Sequence, residues 1–225
     1  MSIPDRVQRT MAEQRRQDGE VTGQAIWWDP SKWQTPNLKA AVQLVAEHTD
    51  ARADERSLIT RQNVFDLITS QHDPMTGFVG AMIWGYGING LGPHRVETLV
   101  GDAGARIRGK LDGIADAAGE DAAAAWDAFT AKHKIDGLGP AFASKYAYFV
   151  AFADGPPATD TPPLIVDANT SWAMWDLMQL ARSVERRSGY LEYVHIAVEW
   201  AREARVRADT VEWALFEIGK AVPRL

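Results

Sequence analysis

Apolar residues recur at helical spacing along most of the chain, and nowhere do they alternate long enough to build a sheet. Between Asn37 and Thr49 the apolar positions are Leu38, Ala41, Val42, Leu44 and Val45, which form one face of an amphipathic helix. In the stretch from Ser57 to Ser70, Thr60 is placed to cap a helix carrying Val64, Phe65, Leu67 and Ile68. Phe78 to Trp84 is almost wholly apolar and runs into Gly85-Tyr86-Gly87, the pattern of a buried helix stopped by glycine. Gly90-Leu91-Gly92-Pro93 restarts a helix with the proline at its first position. Alanine-rich helices are predicted around Ala103–Ala118 and Glu120–His133, and others over Ser171–Val184 and Leu191–Arg205. Asp209 or Thr210 caps a last helix that Gly219 closes. Met1–Gly23 reads as a polar terminal tail rather than a frayed helix, with phosphate contact by its arginines as a sharper alternative, Gly19–Pro36 as an irregular segment held by its indoles, and Ala153–Pro163 as a loop. Patches such as Leu164-Ile165-Val166 are too few to build a sheet, so the fold class is all-α, with roughly ten helices.

Composition narrows the classes. The chain has 225 residues, 46% of them hydrophobic, which suits one folded domain or two lobes sharing an interface. It has no cysteine, which excludes disulfides and cysteine-held zinc or iron–sulfur clusters. No apolar run reaches the ~20 residues needed to span a bilayer, and the polar N-terminus lacks the apolar core of a signal peptide. A cytoplasmic protein without membrane partners is expected. The net charge of −6 argues against a dominant basic surface, so any nucleic-acid contact must use a local basic face.

The chemistry gathers between residues 132 and 170. Ile135-Asp136-Gly137-Leu138-Gly139-Pro140 turns the chain and opens a helix. Glycines at 137 and 139 let the backbone approach a ligand, and free N–H groups at a helix start attract an anion without reading any base. Lys132 and Lys134 add charge beside this turn. Ile88-Asn89-Gly90-Leu91-Gly92-Pro93 repeats the device and is followed by His94 and Arg95. Both turns also suit plain helix starts. Lys145 follows among Phe142, Ala143, Tyr146 and Phe149. Desolvation favours the neutral, nucleophilic form of an amine, while a snorkelling lysine would instead reach water. Asp167, alone after Leu164-Ile165-Val166, is an N-cap by pattern. A carboxylate fixed at a helix start is also suited to stabilising a cationic sugar transition state or orienting a nucleophile.

This order of elements resembles the helix-hairpin-helix DNA glycosylases. Their Leu-Pro-Gly-Val-Gly hairpin appears as Ile135-Asp136-Gly137-Leu138-Gly139, and their Val-Asp-Thr-His as Val166-Asp167-Ala168-Asn169. The chain is most similar to the small bacterial 8-oxoguanine-glycosylase-like proteins. That resemblance runs through Thr60-Arg61-Gln62-Asn63-Val64, Trp84-Gly85-Tyr86-Gly87, Gly92-Pro93-His94-Arg95, Gly139-Pro140-Ala141-Phe142 with Lys145, Asp167, and Val211-Glu212-Trp213-Ala214-Leu215-Phe216.

The resemblance implies a two-lobed helical architecture with an interlobe cleft. Its lobes span approximately 57–150, with the hairpin near 132–148, and 1–56 plus 164–225. It implies a DNA partner, a monomer without cofactor, and excision of a flipped base with Lys145 and Asp167 as catalytic residues. Gly137, Gly139, Lys134, Gly92, His94 and Arg95 would hold the DNA backbone. Trp84, Phe142, Trp172 and Trp28 are candidates for the base pocket, with Trp27, Trp28 and Trp33 also candidates for a flap, although for each single tryptophan core packing is the plainer reading.

One departure stands out. Lyase-competent relatives place their lysine two residues after the second hairpin glycine, where this chain has Ala141. Lys145 lies one helical turn further on a similar face. Without Lys145, Asp167 alone would activate water. The implied substrate is an oxidised purine. Alternatives are a modified base of invading phage DNA, such as a glucosylated hydroxymethylcytosine excised in defence, a non-catalytic helix-hairpin-helix DNA-binding module, or a helical scaffold.

Overall fold

A computed structural model describes residues 2–17, 19–51, 55–101, 104–179, 184 and 186–223. Eleven α-helices occur among them: α1 (Asp5–Gln17), α2 (Lys39–His48), α3 (Arg61–Gln71), α4 (Pro74–Tyr86), α5 (Leu91–Gly101), α6 (Gly104–Glu120), α7 (Ala122–Asp127), α8 (Pro140–Phe152), α9 (Ala168–Met178), α10 (Arg187–Ala204) and α11 (Ala208–Ala221). A π-helical turn, Ala128–Lys132, extends α7. The all-α expectation holds.

The centre of the first group is α4. Met75 through Trp84 are buried without a break, as befits a helix that is apolar all round. Asp73 accepts from the Thr76 N–H and Pro74 begins the first turn. Gly87 ends the helix with φ +56°, a conformation open to glycine. Helices α2, α3, α5, α6 and α8 pack around α4. On α3 the expected cap forms in full: Thr60 accepts from the Asn63 N–H, and the Asn63 side chain answers to the Thr60 N–H. A second group consists of α9, α10 and α1 around α11. At Gly219 a Cβ would fall 1.8 Å from the Asn169 carbonyl oxygen, so glycine permits the close approach of α11 to the start of α9.

Three local expectations need correction. The N-terminal segment is a helix rather than a tail: α1 docks on α11 through buried Val7 and Met11, and Arg6 pairs with Asp176 of α9 at 2.6 Å. Its few apolar positions suffice because tertiary packing completes it. A small sheet does exist. β1 (Ala25–Trp28) and β2 (Ser57–Thr60) pair antiparallel, with Trp27 opposite Leu58. Finally, α11 begins after Arg207, which gives it no side-chain cap, and Asp209 is buried, accepting from the Tyr148 hydroxyl at 2.9 Å and from Arg207. Ala103 and residues 180–183, within two of the expected helices, lie outside the described residues.

Candidate active site

Pro162 to Val166 is a buried, irregular segment, and its backbone polar groups need partners. Side-chain hydroxyls supply them. The Leu164 N–H donates to the Tyr190 hydroxyl at 3.2 Å, which donates back to the Leu164 carbonyl at 3.0 Å. Tyr193 donates to the Ile165 carbonyl at 2.9 Å. The Val166 N–H donates to Ser144 Oγ at 3.1 Å, and Ser144 donates to the Val166 carbonyl at 3.3 Å. Ser144 precedes Lys145, and Val166 precedes Asp167. One hydroxyl therefore sets the register between the two candidate catalytic residues.

Asp167 caps α9. Its Oδ1 accepts from the N–H groups of Asn169 at 2.9 Å and Thr170 at 3.1 Å, and Thr170 Oγ1 accepts from the Asp167 N–H at 2.8 Å. The cap is thus a closed box. Oδ2 faces Lys145, 3.5 Å from Nζ, with the two side chains 16% and 8% exposed. Lys145 Nζ also donates to the Ala141 carbonyl at 3.2 Å and lies 5.3 Å from the centre of the Phe142 ring. One carboxylate oxygen is held by a helix terminus while the other is presented to an amine. This arrangement can move a proton, position a nucleophile or stabilise a nearby cation.

The hairpin joins the π-turn to α8. Ile135 and Leu138 are buried anchors, whereas Gly137, with φ +85°, and Gly139, the N-cap of α8, are exposed. Among the described residues neither glycine N–H has a protein acceptor. Lys134 is exposed beside them, 4.0 Å from Asp136, and its carbonyl accepts from Lys110 at 2.6 Å. The echo turn differs. Gly92 is buried, its N–H donates to the Asn89 carbonyl at 3.2 Å, and a Cβ there would meet Tyr86 at 2.7 Å. Its glycine is required for packing, whereas His94 and Arg95, which follow the turn, are exposed.

The nominated rings divide. Trp28 and Trp84 are enclosed in the core, and Trp84 packs edge-on to Phe149 at 5.3 Å. Trp172 is half-buried against Trp175. Phe142 lies beside Lys145 and stacks on Tyr86. Trp33 is buried, while Trp27 is 54% exposed. Concavities among the described residues include one of about 810 Å3 between α1 and α11 and one of about 320 Å3 walled by Asp73, Asp112 and Asp116. Among the described residues no group of three or more His, Asp or Glu converges as a metal site.

Behind the pair lies a buried charge network that the sequence showed only as scattered motif fragments. Arg61 at the start of α3 and Glu212 of α11 pair at 2.8 Å, with side chains 0% and 1% exposed. The Arg61 guanidinium sits between the Trp84 and Tyr148 rings, 5.1 and 4.9 Å from their centres, and its Nε donates to Gln24 at 2.7 Å. Burial pushes the Glu212 carboxyl up to about 7, against the pull of Arg61 and with the charges of Asp167 and Asp209 adding to the rise. Burial likewise raises the Tyr148 and Tyr193 hydroxyls well above the usual range.

A helical fold with a hairpin, a capped aspartate and a facing lysine fits the class of helix-hairpin-helix glycosylase-like proteins. The family model described as "Putative 8-oxoguanine DNA glycosylase OGG-like protein" matches residues 19–216, and the chain belongs to that family. The family points to a DNA glycosylase with DNA as its partner. No curated protein and no solved structure matches the chain. No helix among the described residues is long and apolar enough to cross a membrane.

Proposed function

We propose that the chain excises a modified base that has left the duplex, with Lys145 as nucleophile and Asp167 as its carboxylate partner. The observation that carries this reading is the 3.5 Å approach of Lys145 Nζ to an Asp167 whose other oxygen is fixed at the start of α9. The exposed N–H groups at Gly137 and Gly139, with Lys134 beside them, suit one phosphate of the DNA backbone. Lys145 belongs to α8 of the first helix group and Asp167 to α9 of the second. The flipped nucleotide therefore enters where the two groups meet. Asp167 Oδ2 takes the proton from the Lys145 amine, and Nζ bonds to C1′. The glycosidic C1′–N bond breaks, and its electron pair departs with the base. Asp167 passes that proton to the departing base, takes the next one from Nζ and gives it to O4′ as the C1′–O4′ bond opens, which leaves the iminium that permits strand cleavage. Phe142, the half-buried ring beside Lys145, offers a face for the base.

The test is a panel of duplexes bearing 8-oxoguanine, other oxidised purines, hydroxymethylcytosine and glucosylated hydroxymethylcytosine, incubated with and without borohydride. Release of one base identifies the substrate and separates oxidised-purine repair from attack on modified phage DNA. A borohydride-trapped adduct that disappears in Lys145→Ala is expected. An adduct that persists in that variant would refute the assignment of the lysine. Excision without any adduct would leave Asp167 activating water. Intact glycosidic bonds across the panel would refute the enzyme.

A further inference from the structure

Tyr86 and Phe142 form a near-parallel stack, with ring centres 4.0 Å apart and planes 16° from each other. The other ring pairs among the described residues are tilted or edge-on, at 31° or more. Packing in this core favours edge contacts, and one face-to-face pair at the edge of the site imitates the stacking of a nucleobase. Both rings are half-buried. Lys145 Nζ lies 5.3 Å from the Phe142 centre, so the ring that Tyr86 covers is also the ring beside the amine.

Tyr86 stands at a helix end between glycines. It is the last residue of α4, directly before Gly87 at φ +56°. Gly85 on its other side carries no Cβ, which would lie 2.9 Å from Lys145 Cδ and 3.0 Å from Phe142. Gly92 lacks the Cβ that would lie 2.7 Å from Tyr86. Trp33 approaches the ring at a tilt, 6.4 Å away. Among the described residues nothing hydrogen-bonds to the Tyr86 hydroxyl, so its departure breaks no such bond.

We propose that Tyr86 is a stand-in for the target base: its ring covers, in the free protein, the face of Phe142 on which the flipped base stacks, and it leaves when the base arrives. This rests on the glycosylase reading of the Lys145–Asp167 site. The exchange replaces one stack by another. A base that stacks strongly displaces Tyr86, and a weakly stacking one does not. Tyr86 is thus a specificity-determining residue acting through competition.

The test uses the full chain and three duplexes: one bearing the base the wild type excises or, failing excision, 8-oxoguanine; one unmodified; and one bearing a tetrahydrofuran abasic analogue with no base to stack. Tyr86→Ala is expected to tighten binding to the modified-base duplex about 2- to 13-fold, the range set by one lost aromatic stack. It should raise single-turnover excision alike and increase attack on the unmodified duplex, while affinity for the abasic analogue stays unchanged. Tyr86→Phe should match the wild type, and Phe142→Ala should weaken binding of the modified base. If Tyr86→Ala weakens modified-base binding as Phe142→Ala does, Tyr86 is a fixed wall and the proposal is overturned. Equal shifts on the abasic analogue would overturn it too. Should the alanine variant fold poorly by circular dichroism, Tyr86→Leu keeps volume without a plane and carries the same expectations. Absence of excision by the wild type refutes the glycosylase reading, whereas the binding comparison still decides the role of Tyr86.

Discussion

Replacing Arg61 by methionine leaves Glu212 buried without its cation. The pair is enclosed at 0% and 1% exposure and lies 2.8 Å apart. Removing one partner of such a pair costs about 3–5 kcal/mol, because the remaining charge is uncompensated. At roughly 2–4 °C per kcal/mol for a chain of this size, the melting temperature falls by about 6–20 °C. The double variant Arg61→Met, Glu212→Leu removes both charges and fills the space, so it should recover most of that loss. Chemical denaturation of the four proteins in the cycle measures the coupling.

The loss also depends on pH. The folded Glu212 carboxyl is raised to about 7 from an ordinary 4.5, with burial the largest cause. The folded state therefore holds a proton that the unfolded state has released between those values. Stability from this group is greatest at low pH and declines as pH rises to about 7, after which it levels off in the wild type. Without Arg61 the carboxyl moves higher still, and the decline continues past 7 at up to about 1.4 kcal/mol per pH unit. Arg61→Met should accordingly be more damaging at pH 8 than at pH 6. A single-variant cost under about 1 kcal/mol, a double variant as unstable as the two singles added, or a penalty indifferent to pH would each refute the reasoning.

Asp167→Asn keeps an acceptor for the α9 cap but removes the charge facing Lys145, so excision should fall about 10²- to 10³-fold while DNA affinity measured by anisotropy holds or tightens. Ser144→Ala orphans the Val166 N–H, with a stability cost of about 1–3 kcal/mol, and it should lower kcat more than it raises KM; an unchanged kcat would show that the hydroxyl does not set the Lys145–Asp167 register. Gly219→Ala forces a Cβ against the Asn169 carbonyl; about 1–3 kcal/mol of overpacking strain should appear in thermal melts, together with a loss of excision as the start of α9 shifts. Lys134→Ala should reduce the salt dependence of DNA binding by about 0.9 in log–log slope, the share of one phosphate contact, equally for modified and unmodified duplexes.

Local signals were legible where chemistry and geometry coincide within a few residues. The Thr60 cap, the almost wholly apolar α4 ended by Gly87, and the capped Asp167 each need only neighbouring residues to form. What the sequence hid depends on distant partners. α1 is polar enough to read as a tail and becomes a helix because α11 receives Val7 and Met11. β1 and β2 are four residues each and find one another across an intervening helix. An arginine opening α3 reads as exposed, and its enclosure requires Glu212, far along the chain on α11.

The displaced lysine shows the same dependence inside the site. Judged by spacing from the hairpin glycines, Ala141 holds the expected position and Lys145 sits one turn late. Along a helix four residues amount to about 6 Å, enough to remove an amine from hydrogen-bonding reach of a fixed carboxylate. The carboxylate, however, is not placed by the hairpin. It is placed by the buried Pro162–Val166 segment, whose last residue is bonded to Ser144. Ser144 lies beside Lys145, so Asp167 is delivered to the turn of α8 that holds position 145. The Ala141 carbonyl accepts from the Lys145 amine at 3.2 Å and steadies it. Lysine position and aspartate delivery are thus a matched pair. Moving the amine back by Ala141→Lys with Lys145→Ala should fail to restore a borohydride-trapped adduct, because the Asp167 oxygen that faces the amine stays at the later turn.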